Sequence, residues 1–350
     1  MPTAITGLDG PAGAGPVPAV SALIELGSAL HVLRDPGHHG AGPWAGSVRA
    51  AMSPRLAGWT ESWWWTAQAI RSTPFVTAAP PSEEFGDRLR SLRAMPAPRL
   101  AGQLLRPISP GGDPGAARHW SRSRGPAVAG VVEGLLTRPQ EAAGDFLLFL
   151  EASWREWFAA EWARIRPVLA ARARWFADTV VRQGSAAALA ALDPAVTVTA
   201  SGAGVSIAKI RGTRHDVAGR GLVVAPSTFI SPHLYVADVP GRPLLLIAPA
   251  SPAAPAGPPA PPAAELLRRL ETVAHRGRLE VARAIATEPR TAGEIAALWN
   301  TDPTLVNRHL RALAATGLAR TTRRGRFVQY QLDAAAVGAL GTDLLALLLR

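Results

Sequence analysis

The stretch TDPTLVNRHLRAL, residues 301–313, decides how the C-terminal part of the chain is read. It opens on Thr-Asp-Pro. An aspartate there accepts from the first free N–H groups of a helix, and a proline at the first helical position loses nothing, because its missing N–H would have had no partner. Val306, Leu310 and Leu313 follow at i, i+4 and i+7, a stripe that faces a core. Thr304, Leu305, Asn307, Arg308 and Arg311 are left pointing outward, and Gly317 stops the helix.

Working outward, TAGE at 291–294 has the form of a capping box, in which Thr and Glu side chains satisfy each other's backbone N–H groups. It opens a short helix over 292–298, followed by a turn at Trp299-Asn300-Thr301. Residues 263–287 form one or two further helices, interrupted by Glu288-Pro289-Arg290. Downstream, LARTTRRGRFVQYQL at 318–332 reads as two strands around a turn centred on Arg324-Gly325.

Short helix, turn, second helix and hairpin make a winged helix-turn-helix over residues 263–350. In that arrangement the start of the second helix meets base edges in the major groove. Arg308 suits guanine, Asn307 suits adenine and Leu305 suits a thymine methyl. Arg323, Arg324 and Arg326 at the hairpin tip are placed for phosphates or the minor groove. A purely structural helix pair with a solvated charged face would explain the stripe. It would not explain why cap, stop and basic hairpin occur together.

Net charge supports an anionic partner with some discount. The chain carries 37 Lys and Arg against 26 Asp and Glu, a formal charge of +11, and Lys209 is its one lysine. Abundant Arg, Ala, Gly and Pro follow from a GC-rich genome whatever the function, so the placement of the arginines says more than their number. From Ala263 onward there are 13 Arg against eight Asp and Glu.

The remaining chain reads as a mostly helical α+β protein. Residues 1–17, rich in Gly, Ala and Pro, are expected to be disordered. Residues 18–250 form a large domain, helical to about 192. Trp59, Trp63, Ala67 and Ile70 share one helix face there, as do Trp154, Phe158, Ile165 and Leu169, with a loop-like stretch at 96–126 between them. Beyond it, VTVTA, VSIAKI, GLVVA, HLYVADV and PLLLIA predict an antiparallel sheet. SPAAPAGPPAPP at 251–262 has six prolines and no charge, and reads as an extended linker.

With these pieces in place, residues 265–332 resemble the arsenic-repressor-like (ArsR-like) family of bacterial winged-helix regulators. RGRLEVARAIATEPRTAGEIAALWN, DPTLVNRHLRALAATGLART and RRGRFVQYQL carry the resemblance. DPGHHGAGPW at 35–44 and RGLVVAPSTF at 220–229 resemble a domain of uncharacterised function that precedes a winged helix in actinobacterial regulators. The ArsR-like resemblance implies a repressor that dimerises through its terminal helices. Val337, Leu340, Leu344, Leu345 and Leu348 would then be the apolar stripe facing a partner. The family's metal sites use cysteines in the first helix of the motif or Asp, His and Glu on the last. AGEIAALW has no thiol and the last helix has no histidine, so neither site is expected.

Other chemistry is sparse. The chain has no cysteine, which excludes disulfides, thiolate metal sites and cysteine nucleophiles. His38 and His39 with Asp35 show no third ligand in the sequence, while His119, His215 and His233 are scattered, so a polar turn is expected and no metal site. Ser227 lies outside any nucleophile elbow and no phosphate loop is present, so no catalytic residue is assigned. The tryptophans serve a core in one reading and an aromatic ligand pocket in the other, with Trp63, Trp154 and Trp157 as candidate ligand-binding residues.

The sequence thus predicts a cytoplasmic, non-enzymatic regulator that binds double-stranded DNA as a homodimer. No membrane segment, secretory signal or cofactor is expected. The N-terminal domain would sense a non-metal small-molecule effector. The alternative is a ligand-free dimerisation or protein-interaction scaffold.

Overall fold

The computed structural model describes residues 2–8, 15–37, 39, 41–70, 73–76, 84–209, 212–231, 233–250, 262–325 and 327–349. The chain divides into two compact units. One comprises Ala4–Ser206 and Arg214–Pro255; the other comprises Ala256–Arg350 with Met1–Thr3 and Ile207–Thr213. The predicted linker lies almost wholly outside the described residues.

The first unit is built around the helix Ala22–Arg34, of which every residue except His31 and Arg34 is buried. Ser21 caps it by accepting from the Ile24 N–H. Leu23, Leu26, Leu30 and Leu33 join Trp63, Phe75, Phe146, Phe149 and Phe158 in one large core.

The stretch 96–126, expected to be loop-like, is instead largely helical: Ala97–Leu105, Pro114–Arg122 and the start of Pro126–Thr137. Pro98, Pro114 and Pro126 fall in first turns, where a missing N–H costs nothing, while Pro107 and Pro110 lie in the turn between two of these helices. Asp113, for example, accepts from Gly115 and Ala116 ahead of a helix that begins on Pro114.

The sheet also differs from expectation. There are two four-stranded sheets in this part of the chain, and three of the four described pairings in them are parallel. Thr3–Thr6 runs parallel to Arg214–Asp216, and Val17–Pro18 runs parallel to Leu222–Ser227. The latter is parallel in turn to Leu244–Pro249, and only Tyr235–Ala237 adds antiparallel to it. Residues 3–6 and 17 are therefore strand, not disordered chain. Leu244–Pro249 is buried at all six positions, the pattern of a strand covered on both faces and usual in parallel sheets. Ala225, Leu245 and Ile247 enter the same core as the helices.

The second unit contains the helices Ala263–Val273, Arg276–Ala284, Ala292–Trp299 and Pro303–Ala315. The hairpin Ala319–Arg324/Phe327–Leu332 follows, and then the helix Ala334–Leu349. This is the element order expected from the sequence. Its own core joins Leu266, Val281, Ile285, Ile295, Leu310 and Tyr330, among others. Arg290 and Tyr330 exchange backbone hydrogen bonds of 2.9 and 2.8 Å, which ties the segment before the third helix to the hairpin. Among the described residues no helix is long and apolar enough to cross a membrane.

Candidate nucleic-acid interface

The helix Ala292–Trp299 begins with the capping box the sequence announces. Glu294 N–H donates to Thr291 Oγ1 at 3.2 Å, and Thr291 N–H donates to Glu294 Oε2 at 2.6 Å. That backbone hydrogen bond is the main cause holding the Glu294 carboxyl below its ordinary range. Asn300 ends the helix at φ 49°, the sole non-glycine positive φ among the described residues. Asn tolerates this left-handed conformation better than other side chains, and the chain turns there into the next helix.

Pro303–Ala315 is capped by Asp302, which accepts from Thr304 N–H at 2.8 Å. Val306, Leu310 and Leu313 are buried, as the spacing requires. Thr304, Leu305, Arg308 and Arg311 are exposed and Asn307 is half-exposed. Four carboxylates of this unit are engaged by other arginines: Glu265 pairs with Arg268 and Arg269, Glu280 with Arg276, Glu288 with Arg290, and Asp333 with Arg320. Among the described residues, neither Arg308 nor Arg311 has an acidic partner.

In the hairpin, Phe327 is registered opposite Arg324, so the turn falls at Gly325 (φ 58°), one residue later than expected. Arg323 is exposed, with Nε donating to the Gly325 carbonyl at 3.3 Å. Arg324 lies at the end of its strand, and Arg326 falls outside the described residues.

His309 belongs to the family-like segment but is assigned no site role from the sequence. It is buried against His275, ring centroids 5.2 Å apart. Burial, and then the positive groups of His275, Arg308 and Arg278, push its pKa down. The ring is thus a neutral packing element beneath the outward arginines.

The stripe on Ala334–Leu349 splits. Leu340 and Leu347 are buried in their own unit's core and Val337 and Leu344 pack against it, whereas Leu345 and Leu348 are each 58 % exposed. Only part of the predicted partner-facing stripe therefore remains outward.

The three candidate tryptophans of the first unit do not meet in one pocket. Trp63 is buried against Phe146 (5.3 Å), Trp154 stacks on Phe85 (4.3 Å), and Trp157 packs edge-on to Phe158 (5.2 Å). Trp63, with Trp59, does line a cleft of about 360 Å³ that also presents Arg138, Glu141 and Asp145.

A model of a family of unknown function, DUF5937, matches residues 12–253. The chain belongs to the DUF5937 family. The match covers the first unit almost completely and stops at the proline-rich segment, so the helix–turn–helix–hairpin part lies beyond it. Among solved structures the chain is similar to an ArsR-like transcriptional regulator from Rhodococcus sp. RHA1. Identity is 23 %, over 23 % of this chain and 76 % of that one, with a TM-score of 0.22. No curated protein matches it.

The DUF5937 part also overturns one expectation from the sequence. His39 does have further imidazoles beside it. His31, His39 and His233 come together with one ring nitrogen of each within 4.8 Å of the others. His38 falls outside the described residues. Nothing in the sequence announces the trio, because 194 residues separate His39 from His233.

Proposed function

We propose that the protein is a DNA-binding transcriptional regulator of ArsR-like type, whose C-terminal unit is a winged helix-turn-helix. The observation that carries this reading is the division of Pro303–Ala315. Val306, His309, Leu310 and Leu313 are buried, while Thr304, Leu305, Arg308 and Arg311 are exposed on its outer side. Among the described residues the two arginines lack carboxylate partners, while Arg268, Arg269, Arg276, Arg290 and Arg320 of the same unit each have one. Thr304, Leu305, Asn307, Arg308 and Arg311 read bases, and Arg323, Arg324 and Arg326 hold phosphates.

The resemblance of residues 265–332 supports a cytoplasmic repressor that binds a palindromic operator as a homodimer. Leu345 and Leu348 supply apolar surface for the dimer contact. The DUF5937 unit acts as the sensing module. Its cleft of about 360 Å³ beside Trp59 and Trp63 falls in the size range of small-molecule sites, roughly 300–1,000 Å³.

The test is selection of bound duplexes from a random library with the full-length protein. The expected product is a motif of two inverted half-sites, about 10 bp from centre to centre or a multiple of that. Recovery of no motif, with binding no stronger than to random DNA, overturns the reading.

A further inference from the structure

His31 lies in the last turn of the helix Ala22–Arg34 and is one of only two residues of that helix not fully buried. His39 follows in the DPGHHG segment, where the chain turns back through a hydrogen bond from Ala41 N–H to the Pro36 carbonyl at 3.0 Å. His233 lies beyond the strand Leu222–Ser227, in a turn closed by its own N–H on the Ile230 carbonyl at 2.8 Å. Three separate backbone elements thus deliver one imidazole each to the same place. Ring centroids are 5.2 Å apart for His31 and His39, 5.2 Å for His39 and His233, and 6.4 Å for His31 and His233.

We propose that His31, His39 and His233 form a binding site for a single zinc-class divalent transition-metal ion, with a fourth position left for water or an exogenous ligand. Imidazole is the ligand such ions prefer after thiolate, and this chain has no thiols.

Geometry supports the assignment. A tetrahedral ion with metal–nitrogen bonds of about 2.0–2.1 Å holds its ligand nitrogens about 3.3–3.4 Å apart. The donor atoms here lie within 4.8 Å of one another, so closing on an ion takes at most about 1.5 Å of side-chain movement. His39 Nδ1 lies 2.6 Å from the Ser231 carbonyl. That carbonyl can only accept, so Nδ1 carries the proton and the Nε2 lone pair is turned to the other side of the ring. A backbone carbonyl behind a ligand histidine is a usual outer partner at metal sites and fixes both tautomer and orientation.

Position supports it as well. The C-terminal end of a helix presents partial negative charge, which favours a cation beside His31. All three histidines are partly buried, reachable from solvent yet shielded enough to hold an ion. None of the three histidines lines the cleft beside Trp59 and Trp63, so the site neither requires nor displaces a small-molecule effector there. It is distinct from the family metal positions that lack ligands here, and it stands whether or not the C-terminal unit binds DNA.

The test uses untagged full-length protein, stripped with chelator, desalted and titrated with Co(II) alone. The expected result is one equivalent of Co(II) giving the visible d–d bands of a tetrahedral field, displaced by one equivalent of Zn(II). His31→Gln, His39→Gln and His233→Gln should each weaken binding by more than the roughly 10–100-fold that loss of an outer partner costs. His119→Gln, an exposed histidine elsewhere, should bind as the wild type does. Thermal melts with and without Zn(II) give a second readout on the unmutated protein, which should melt higher with the ion. Wild-type protein that shows neither Co(II) bands nor a Zn(II)-dependent shift at 100-fold excess overturns the proposal. So do His variants that fold and bind with unchanged affinity.

Discussion

Glu25 Oε1 accepts a hydrogen bond of 2.6 Å from the backbone N–H of Thr228, joining the buried helix to the end of the central strand across 203 residues. The carboxyl is fully buried. Burial, only partly offset by the hydrogen bonds from Thr228, Ser227 and Phe229, raises its pKa to about 8. Between pH 4.5 and about 8 the folded state therefore holds a proton that the unfolded state has released. Stability must fall as pH rises through that window, by up to about 1.4 kcal/mol per unit. Glu25→Gln, which keeps an accepting oxygen and cannot ionise, should remove this slope. Melting temperatures at pH 5 and pH 8 are the measurement. The variant should gain on the wild type at pH 8 and not at pH 5; equal pH dependence in the two proteins contradicts the assignment.

Gly27 sits in the middle of the same helix, and a Cβ there would lie 2.7 Å from Phe75 Cδ1 and 3.0 Å from Cγ. Two effects compete in Gly27→Ala. Helix propensity favours alanine by about 1 kcal/mol, and overpacking against the buried ring costs about 1–3 kcal/mol. The ring is 0 % exposed and has nowhere to go, so the clash should win. The urea midpoint is expected to fall. A rise would mean that Phe75 can swing aside.

On the terminal helix, Leu345→Glu with Leu348→Glu should convert the proposed dimer to a monomer in sedimentation velocity while leaving the helical circular dichroism intact. Both side chains are more than half exposed, so the change places no charge in the unit's core. An unchanged sedimentation coefficient places the dimer contact elsewhere.

In the hairpin, Arg323→Ala should weaken binding to every duplex alike and lower the magnitude of the log–log salt slope by about 1, as loss of one phosphate contact requires. Arg324→Ala should do the same. An unaltered slope in both variants removes the hairpin from the interface.

The parts legible in the sequence are those fixed by local chemistry. The Thr291–Glu294 box, the Asp302-Pro303 start and the Val306, Leu310, Leu313 stripe all act within a few residues, and the structure has each of them in place. The N-terminal sheet was not legible. Its parallel pairs join residues such as Ile5 and His215, and no local pattern encodes a partner that far away. The prolines of 96–126 misled for a related reason. A proline marks a helix start as readily as a break, and only the cap before it, as at Asp113, tells the two apart. His31, His39 and His233 are single letters until the fold brings them together, and the candidate tryptophans are dispersed by the same packing.

The most direct test of the account compares Arg308→Ala with Leu310→Ala on the selected operator and on random DNA, with a thermal melt of each. Arg308 is exposed and without an acidic partner, whereas Leu310 is 0 % exposed. Arg308→Ala is expected to melt as the wild type does, to keep weak salt-sensitive binding, and to lose about 1–3 kcal/mol of discrimination for the operator. Leu310→Ala is expected to lose about 2–5 kcal/mol of stability by opening a core cavity. An Arg308→Ala protein that folds normally and still prefers the operator as strongly as the wild type would contradict the claim that this helix reads DNA.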